Sequence, residues 1–123
     1  MDHDYQVSGL VIGCAIEVHK ALGPGLKEKT YATTLCEVFD RRNIKFTCDR
    51  TIDVAFDGVK VGEYRPDLVV EGTVVVEVKS VLRMHPVFTS QVVTYLKITN
   101  LRVGLLLNFN CPRMKDGITR VVR

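Results

Sequence analysis

Apolar residues in the first part of the chain recur at helical intervals. Val7, Leu10, Val11, Cys14, Val18, Ala21 and Leu22 form one stripe, which predicts an amphipathic helix. Gly23-Pro24-Gly25 ends it, because these residues disfavour continuation. A second stripe, Tyr31, Ala32, Leu35, Val38 and Phe39, predicts a helix from about residue 26 to 42. Beyond Asn43 the pattern becomes strand-like near residues 44–56, 59–62, 64–70 and 73–81, with Asp57-Gly58 as a hairpin turn. Val92, Val93 and Leu96 restore helical spacing within residues 86–99, and Pro86 suits a first helical turn. A strongly apolar strand over 102–109 follows. Residues 118–122 supply a short edge strand.

This order of elements predicts an α/β fold, a mixed sheet flanked by helices. The helix between the strands of Val78 and Leu105 acts as a crossover, and crossovers favour parallel pairing. Val103-Gly104-Leu105-Leu106-Leu107 is apolar on both faces, as a covered central strand should be. A length of 123 residues with 46% hydrophobic content fits one domain, residues 1–123, with a sizeable core, and argues against disorder. No apolar run approaches the roughly 20 residues of a membrane span, and Met1-Asp2-His3-Asp4 lacks the basic start of a secretory signal. The expected compartment is the cytoplasm, with no membrane partner.

A net charge of +3 permits a polyanionic partner but falls short of the basic footprint of a dedicated nucleic-acid binder. Cys14, Cys36, Cys48 and Cys111 are unevenly spaced without a C-x-x-C pair, which disfavours a zinc cage. Cys14 and Cys36 read as small buried thiols.

The candidate chemistry lies at Asp67, Glu77 and Lys79. Two carboxylates and an amine at that separation can hold a hard divalent cation beside a water, provided that the strand register puts them on one face. A two-residue turn would pair Val70 with Thr73 and separate the acids. A three-residue loop, Val70 to Gly72, with glycine in the left-handed third position, pairs Asp67 with Val75 and unites all three on one face. Val74, Val76 and Val78 then form an apolar row toward the core, so the three-residue loop is the expectation. By itself, the Glu77-Val78-Lys79 triplet is a weak signal that reads first as the solvated side of an alternating strand. A second constellation adds weight: Gln91 and Tyr95, four apart on one helical face, can orient a water or touch a phosphate.

Glu28 lies within the apolar arc of its helix, where a buried-side acid needs a partner. It serves either as a first-turn anion favoured by the helix dipole or as a third carboxylate of the site. Glu17 and His19 read as structural polar contacts.

Several motifs together resemble a known family. Gly25-Leu26-Lys27-Glu28-Lys29-Thr30-Tyr31 fits a GxxExxY pattern, preceded by Ile16-Glu17-Val18-His19 and Gly23-Pro24-Gly25-Leu26. The likeness continues through Tyr64-Arg65-Pro66-Asp67, Glu77-Val78-Lys79-Ser80, Gln91-Val92-Val93-Thr94-Tyr95 and Gly104-Leu105-Leu106-Leu107-Asn108-Phe109 to Lys115-Asp116-Gly117-Ile118. The chain thus resembles the GxxExxY family of the PD-(D/E)XK nuclease superfamily. That resemblance implies a restriction-endonuclease-like core and an Asp, Glu, Lys site at a strand hairpin, matched by Asp67, Glu77 and Lys79. Gln91-x-x-x-Tyr95 is similar to the motif of the RecB-like exonuclease branch, and Glu28 corresponds to the acid on the helix before the sheet. Phe88 departs from the pattern, since related sequences often carry histidine there.

The implied activity is metal-dependent hydrolysis of phosphodiester bonds in nucleic acid, with DNA the expected polymer. The implied cofactor is Mg²⁺, with Mn²⁺ as substitute, held by Asp67, Glu77 and the Val78 carbonyl, with Glu28 completing or tuning the shell. Lys79 would steady the nucleophile and transition state, and Gln91 and Tyr95 would position water or phosphate. One alternative is a non-catalytic module that binds nucleic acid or protein on the same scaffold; another is a phosphoesterase acting on a small nucleotide. A site open on one side leaves room for a homodimer.

Overall fold

The computed structural model describes residues 3–123; Met1 and Asp2, the start of the segment read as lacking a basic leader, lie outside them. Helix α1 spans His3–Leu22 and buries Val7, Val11, Cys14, Ala15 and Val18, largely the anticipated stripe. Leu10 is exposed instead. Gly23 and Gly25 adopt left-handed conformations (φ 70° and 98°) that break the helix, and α2 follows over Glu28–Arg41. Its buried residues, Tyr31, Leu35, Val38 and Phe39, face α1 and the sheet.

Strands β1 (Phe46–Cys48), β4 (Leu68–Val70), β5 (Val74–Lys79), β6 (Val103–Asn108) and β7 (Ile118–Val122) form one mixed sheet in the order β1-β4-β5-β6-β7. Helix α3, Pro86–Thr99, is the crossover between β5 and β6, and these two strands pair in parallel as expected. All six residues of β6 are buried, which fits a strand covered on both faces. Helices α1 and α2 pack on one face against Leu68, Val70, Val74, Val76 and Val78. Helix α3 packs Val92 and Leu96 on the other face, against Val75, Leu106 and Val121. Gly104 permits this approach, because a Cβ there would sit 2.6 Å from Cγ1 of Val92. None of the described helices is long and apolar enough to cross a membrane.

Two strand expectations need correction. Residues 44–56 are not one strand: Asp49, at φ 52°, turns the chain between β1 and β2 (Ile52–Phe56). Residues 64–70 are likewise split, since β3 runs Val59–Tyr64 and β4 begins at Leu68. Pro66, lacking an N–H for a ladder, lies in that break. Strands β2 and β3 form a separate two-stranded arm closed by Asp57 and Gly58 at φ 50° and 79°, the left-handed pair that a two-residue hairpin turn requires.

The β4–β5 loop has the expected three residues but is displaced by one. It comprises Glu71, Gly72 and Thr73, with positive φ at Glu71 (51°) and Gly72 (67°), and Val70 pairs with Val74. Register is therefore two residues from the expectation that set Asp67 against Val75. A slip of two preserves side-chain parity, so the faces are unchanged.

Candidate active site

Extending the β4–β5 ladder one step beyond Leu68 and Val76 brings Asp67 opposite Glu77. Here β4 has no regular backbone left to pair, and the Asp67 side chain takes over. Its Oδ2 accepts a hydrogen bond from the Val78 N–H at 2.8 Å, and its own N–H donates to Oε2 of Glu77 at 3.4 Å. The other Glu77 oxygen, Oε1, accepts from the Tyr64 hydroxyl at 2.7 Å. Glu77 is only 8% exposed. Burial, followed by the neighbouring Asp67 charge, pushes its carboxyl from 4.5 up to about 7, against the lowering effect of the Tyr64 hydrogen bond.

Tyr64, the last residue of the arm, connects two elements. Its ring stacks on Tyr95 of α3 with centroids 3.7 Å apart. Burial and its hydrogen bond to Glu77 hold the Tyr64 phenol far above its ordinary range. Tyr95 is raised too, by burial and then by Glu77 and Asp67. Lys79 shares the α3 face of β5, and its Nζ lies 4.5 Å from the centre of the Phe88 ring, a cation–π contact that steers the ammonium.

Glu28 opens α2, and its Oε2 accepts from the Ser80 N–H at 3.3 Å. Oγ of Ser80 donates to the Leu26 carbonyl at 2.6 Å, so this helix start is tied to the chain just beyond Lys79. A cleft of about 310 Å³ is lined by Glu28, Asp67, Glu77, Lys79, Gln91 and Tyr95 together with Tyr64, Arg65 and Phe88. All six side chains singled out from sequence thus meet at one place. Val78 contributes backbone, while its side chain faces the α1–α2 core.

The donor set suits a hard divalent cation. Two carboxylates converge in a half-enclosed cleft, and their mutual repulsion is what a cation between them would relieve. Among the described residues, however, no group of three or more His, Cys, Asp or Glu is arranged to hold a metal ion. Asp67 and Glu77 make a pair, which Glu28 does not complete.

A protein-family model described as the PD-(D/E)XK nuclease superfamily matches residues 5–121. The chain belongs to the PD-(D/E)XK nuclease superfamily. The mixed five-stranded sheet with helices on both faces is consistent with its restriction-endonuclease-like fold. No curated protein and no solved structure matches the chain.

Within this PD-(D/E)XK domain, two contributors escape a reading of the sequence alone. Tyr64 sits on a different sheet from Glu77, so no local spacing announces their contact. Phe88 stands out in the sequence only as a departure from a family pattern; a signal is present in its spacing of three before Gln91, which sets it on the cleft side of α3. Tyr31 of the GxxExxY pattern is structural. Its hydroxyl donates to the Gly23 carbonyl at 2.5 Å and accepts from the Leu26 N–H at 3.1 Å, while its ring stacks on Phe109. Glu17 and His19 also act structurally, Glu17 pairing with Arg42 and His19 Nε2 lying 2.7 Å from the Cys111 carbonyl oxygen.

Proposed function

We propose that this chain is a metal-dependent nuclease of the GxxExxY family, hydrolysing phosphodiester bonds of nucleic acid, with DNA as the polymer and Mg²⁺ or Mn²⁺ as the ion. The observation that carries this reading is the convergence of Asp67 and Glu77 beside Lys79 in one cleft. Residues 1–123 form one nuclease domain in this reading, its compartment is the cytoplasm, and its assembly is a homodimer.

Asp67 and Glu77 would hold the ion together with the Val78 carbonyl, and Glu28 would tune the site through coordinated water. When bound, the ion acidifies a water and offsets charge on the phosphate. Tyr64 fixes one oxygen of Glu77, leaving the carboxylate in one orientation. Lys79, braced on Phe88, stabilises the extra charge of the pentavalent phosphorane-like transition state. Gln91 and Tyr95 donate hydrogen bonds that align water or the scissile phosphate.

The second reading, a non-catalytic binding module, draws on the acids stopping at a pair rather than a trio among the described residues. One experiment separates the two. Labelled single- and double-stranded DNA and RNA are incubated with Mg²⁺, Mn²⁺ or chelator, with Lys79→Ala as control. Metal-dependent cleavage of at least one polymer by the wild type and none by the variant is expected. Absence of cleavage under every condition, or equal cleavage by Lys79→Ala, would reject the nuclease reading.

A further inference from the structure

Apart from Tyr64 at its root, the β2–β3 arm has no role in the chemistry above, yet its surface is unusual. Along it Ile52 pairs with Tyr64, Val54 with Gly62 and, beyond a bulge that leaves Val61 unpaired, Phe56 with Val59, so Ile52, Val54, Phe56 and Val59 form an apolar row that ends at Tyr64. The opposite face carries Asp53, Lys60 and Glu63, with Lys60 Nζ 3.3 Å from Asp53 and 3.2 Å from Glu63. Toward the tip the apolar face is bare: Phe56 is 68% and Val59 63% exposed. A lone two-stranded hairpin is marginal in water, and contiguous exposed apolar surface marks an interaction site.

Charge selects the partner. The arm holds Asp53, Asp57 and Glu63 against Lys60 alone, in a chain of net charge +3, so the arm is acidic and the body carries the basic excess. A polyanion would be repelled by the arm, whereas the body of another copy would attract it. That body offers an exposed apolar ridge after β5: Leu82 is 92% exposed, Met84 and Val87 follow it and are also exposed, and so is Arg83, between Leu82 and Met84. At the tip the exposed Asp57 follows Phe56, so an apolar and acidic tip meets Leu82 and the basic Arg83 on the ridge.

We propose that the arm is a dimerisation element: Phe56 and Val59 of each copy dock on the Leu82–Val87 ridge of the other about a two-fold axis. The contact is isologous, made twice by the same pair of patches, and therefore closes at two subunits. Both patches border the acid cleft, the arm through Tyr64 and the ridge through Lys79, so dimerisation would wall the side of the cleft that one chain leaves open.

Sedimentation velocity across a concentration series, without nucleic acid or metal, reads this independently of any activity. The wild type is expected to dimerise, and Phe56→Asp and Leu82→Asp are each expected to weaken self-association by roughly 30-fold or more, with unchanged far-ultraviolet circular dichroism. In a Cys48→Ser background, the pair Val59→Cys and Leu82→Cys should give a disulfide-linked dimer on oxidation. A wild type that stays monomeric at high concentration would overturn the proposal, as would a dimer indifferent to both aspartates or a disulfide closing within one chain. A monomer whose Phe56→Asp variant loses binding to labelled single-stranded DNA would assign the arm to nucleic acid and equally overturn it. Failure of cleavage alone would leave this interface untouched.

Discussion

Glu77→Gln should make the metal-free protein more stable above neutral pH while removing the central carboxylate. In the folded chain the Glu77 carboxyl titrates near 7 rather than 4.5, mainly because it is buried and then because Asp67 faces it. At about 1.36 kcal/mol per tenfold change, the displacement corresponds to roughly 3 kcal/mol between protonated and charged forms. The folded state binds this proton more tightly than the unfolded state does, so the group's contribution is most favourable below 4.5, declines as pH rises and is exhausted above 7. Wild-type stability should therefore drop by roughly 2–3 kcal/mol between pH 5 and pH 8 relative to Glu77→Gln. The amide stands in for the protonated acid: its oxygen can accept from Tyr64 and its NH2 can donate to the Asp67 carboxylate, at the loss of the long 3.4 Å contact from the Asp67 N–H. Urea unfolding of both proteins in chelator at the two pH values measures the difference. Parallel pH profiles, or a Glu77→Gln variant less stable than wild type at pH 8, would refute the reasoning.

Other perturbations test neighbouring parts of the site. Tyr64→Phe removes a hydrogen bond to a charged acceptor and should cost about 1.5–3 kcal/mol at pH 8, read by urea denaturation, and should slow any cleavage. Lys79→Ala should leave the melting temperature within a few degrees while abolishing metal-dependent cleavage, since Lys79 is only partly buried. Gly104→Ala places a methyl 2.6 Å from Val92 Cγ1 and should destabilise by about 1–3 kcal/mol in the same denaturation assay, through displacement of α3 from the sheet.

The periodic parts of the chain are legible in its sequence because periodicity reports burial directly. Helix α3 and strand β7 match their expected ranges, and the valine row of β5 faces the core as the parity argument requires. Register is less legible. Whether Val70 or Thr73 joins the turn depends on left-handed conformations at Glu71 and Gly72, and only the glycine advertises such a conformation. The site tolerates the error because a two-residue slip keeps Asp67, Glu77 and Lys79 on one face.

The arm is hidden for a different reason. Strand-like composition continues from Tyr64 through Val70, and nothing local says that residues before Pro66 leave the main sheet while those after it enter. Tyr64 consequently gives no sign of being a partner of Glu77, since that contact joins residues from two different sheets. Glu28 is open between two roles from sequence. The structure places it in the cleft while its carboxylate accepts a hydrogen bond from the Ser80 N–H, so it combines a tether with a view of the acids.

Isothermal titration of Mn²⁺ into the wild type, Glu77→Ala and Lys79→Ala most directly tests the claim that the acid pair is a cation site. Saturable binding by the wild type and by Lys79→Ala, lost in Glu77→Ala, is the expected result. No heat from the wild type, or undiminished binding without the Glu77 carboxylate, would contradict it.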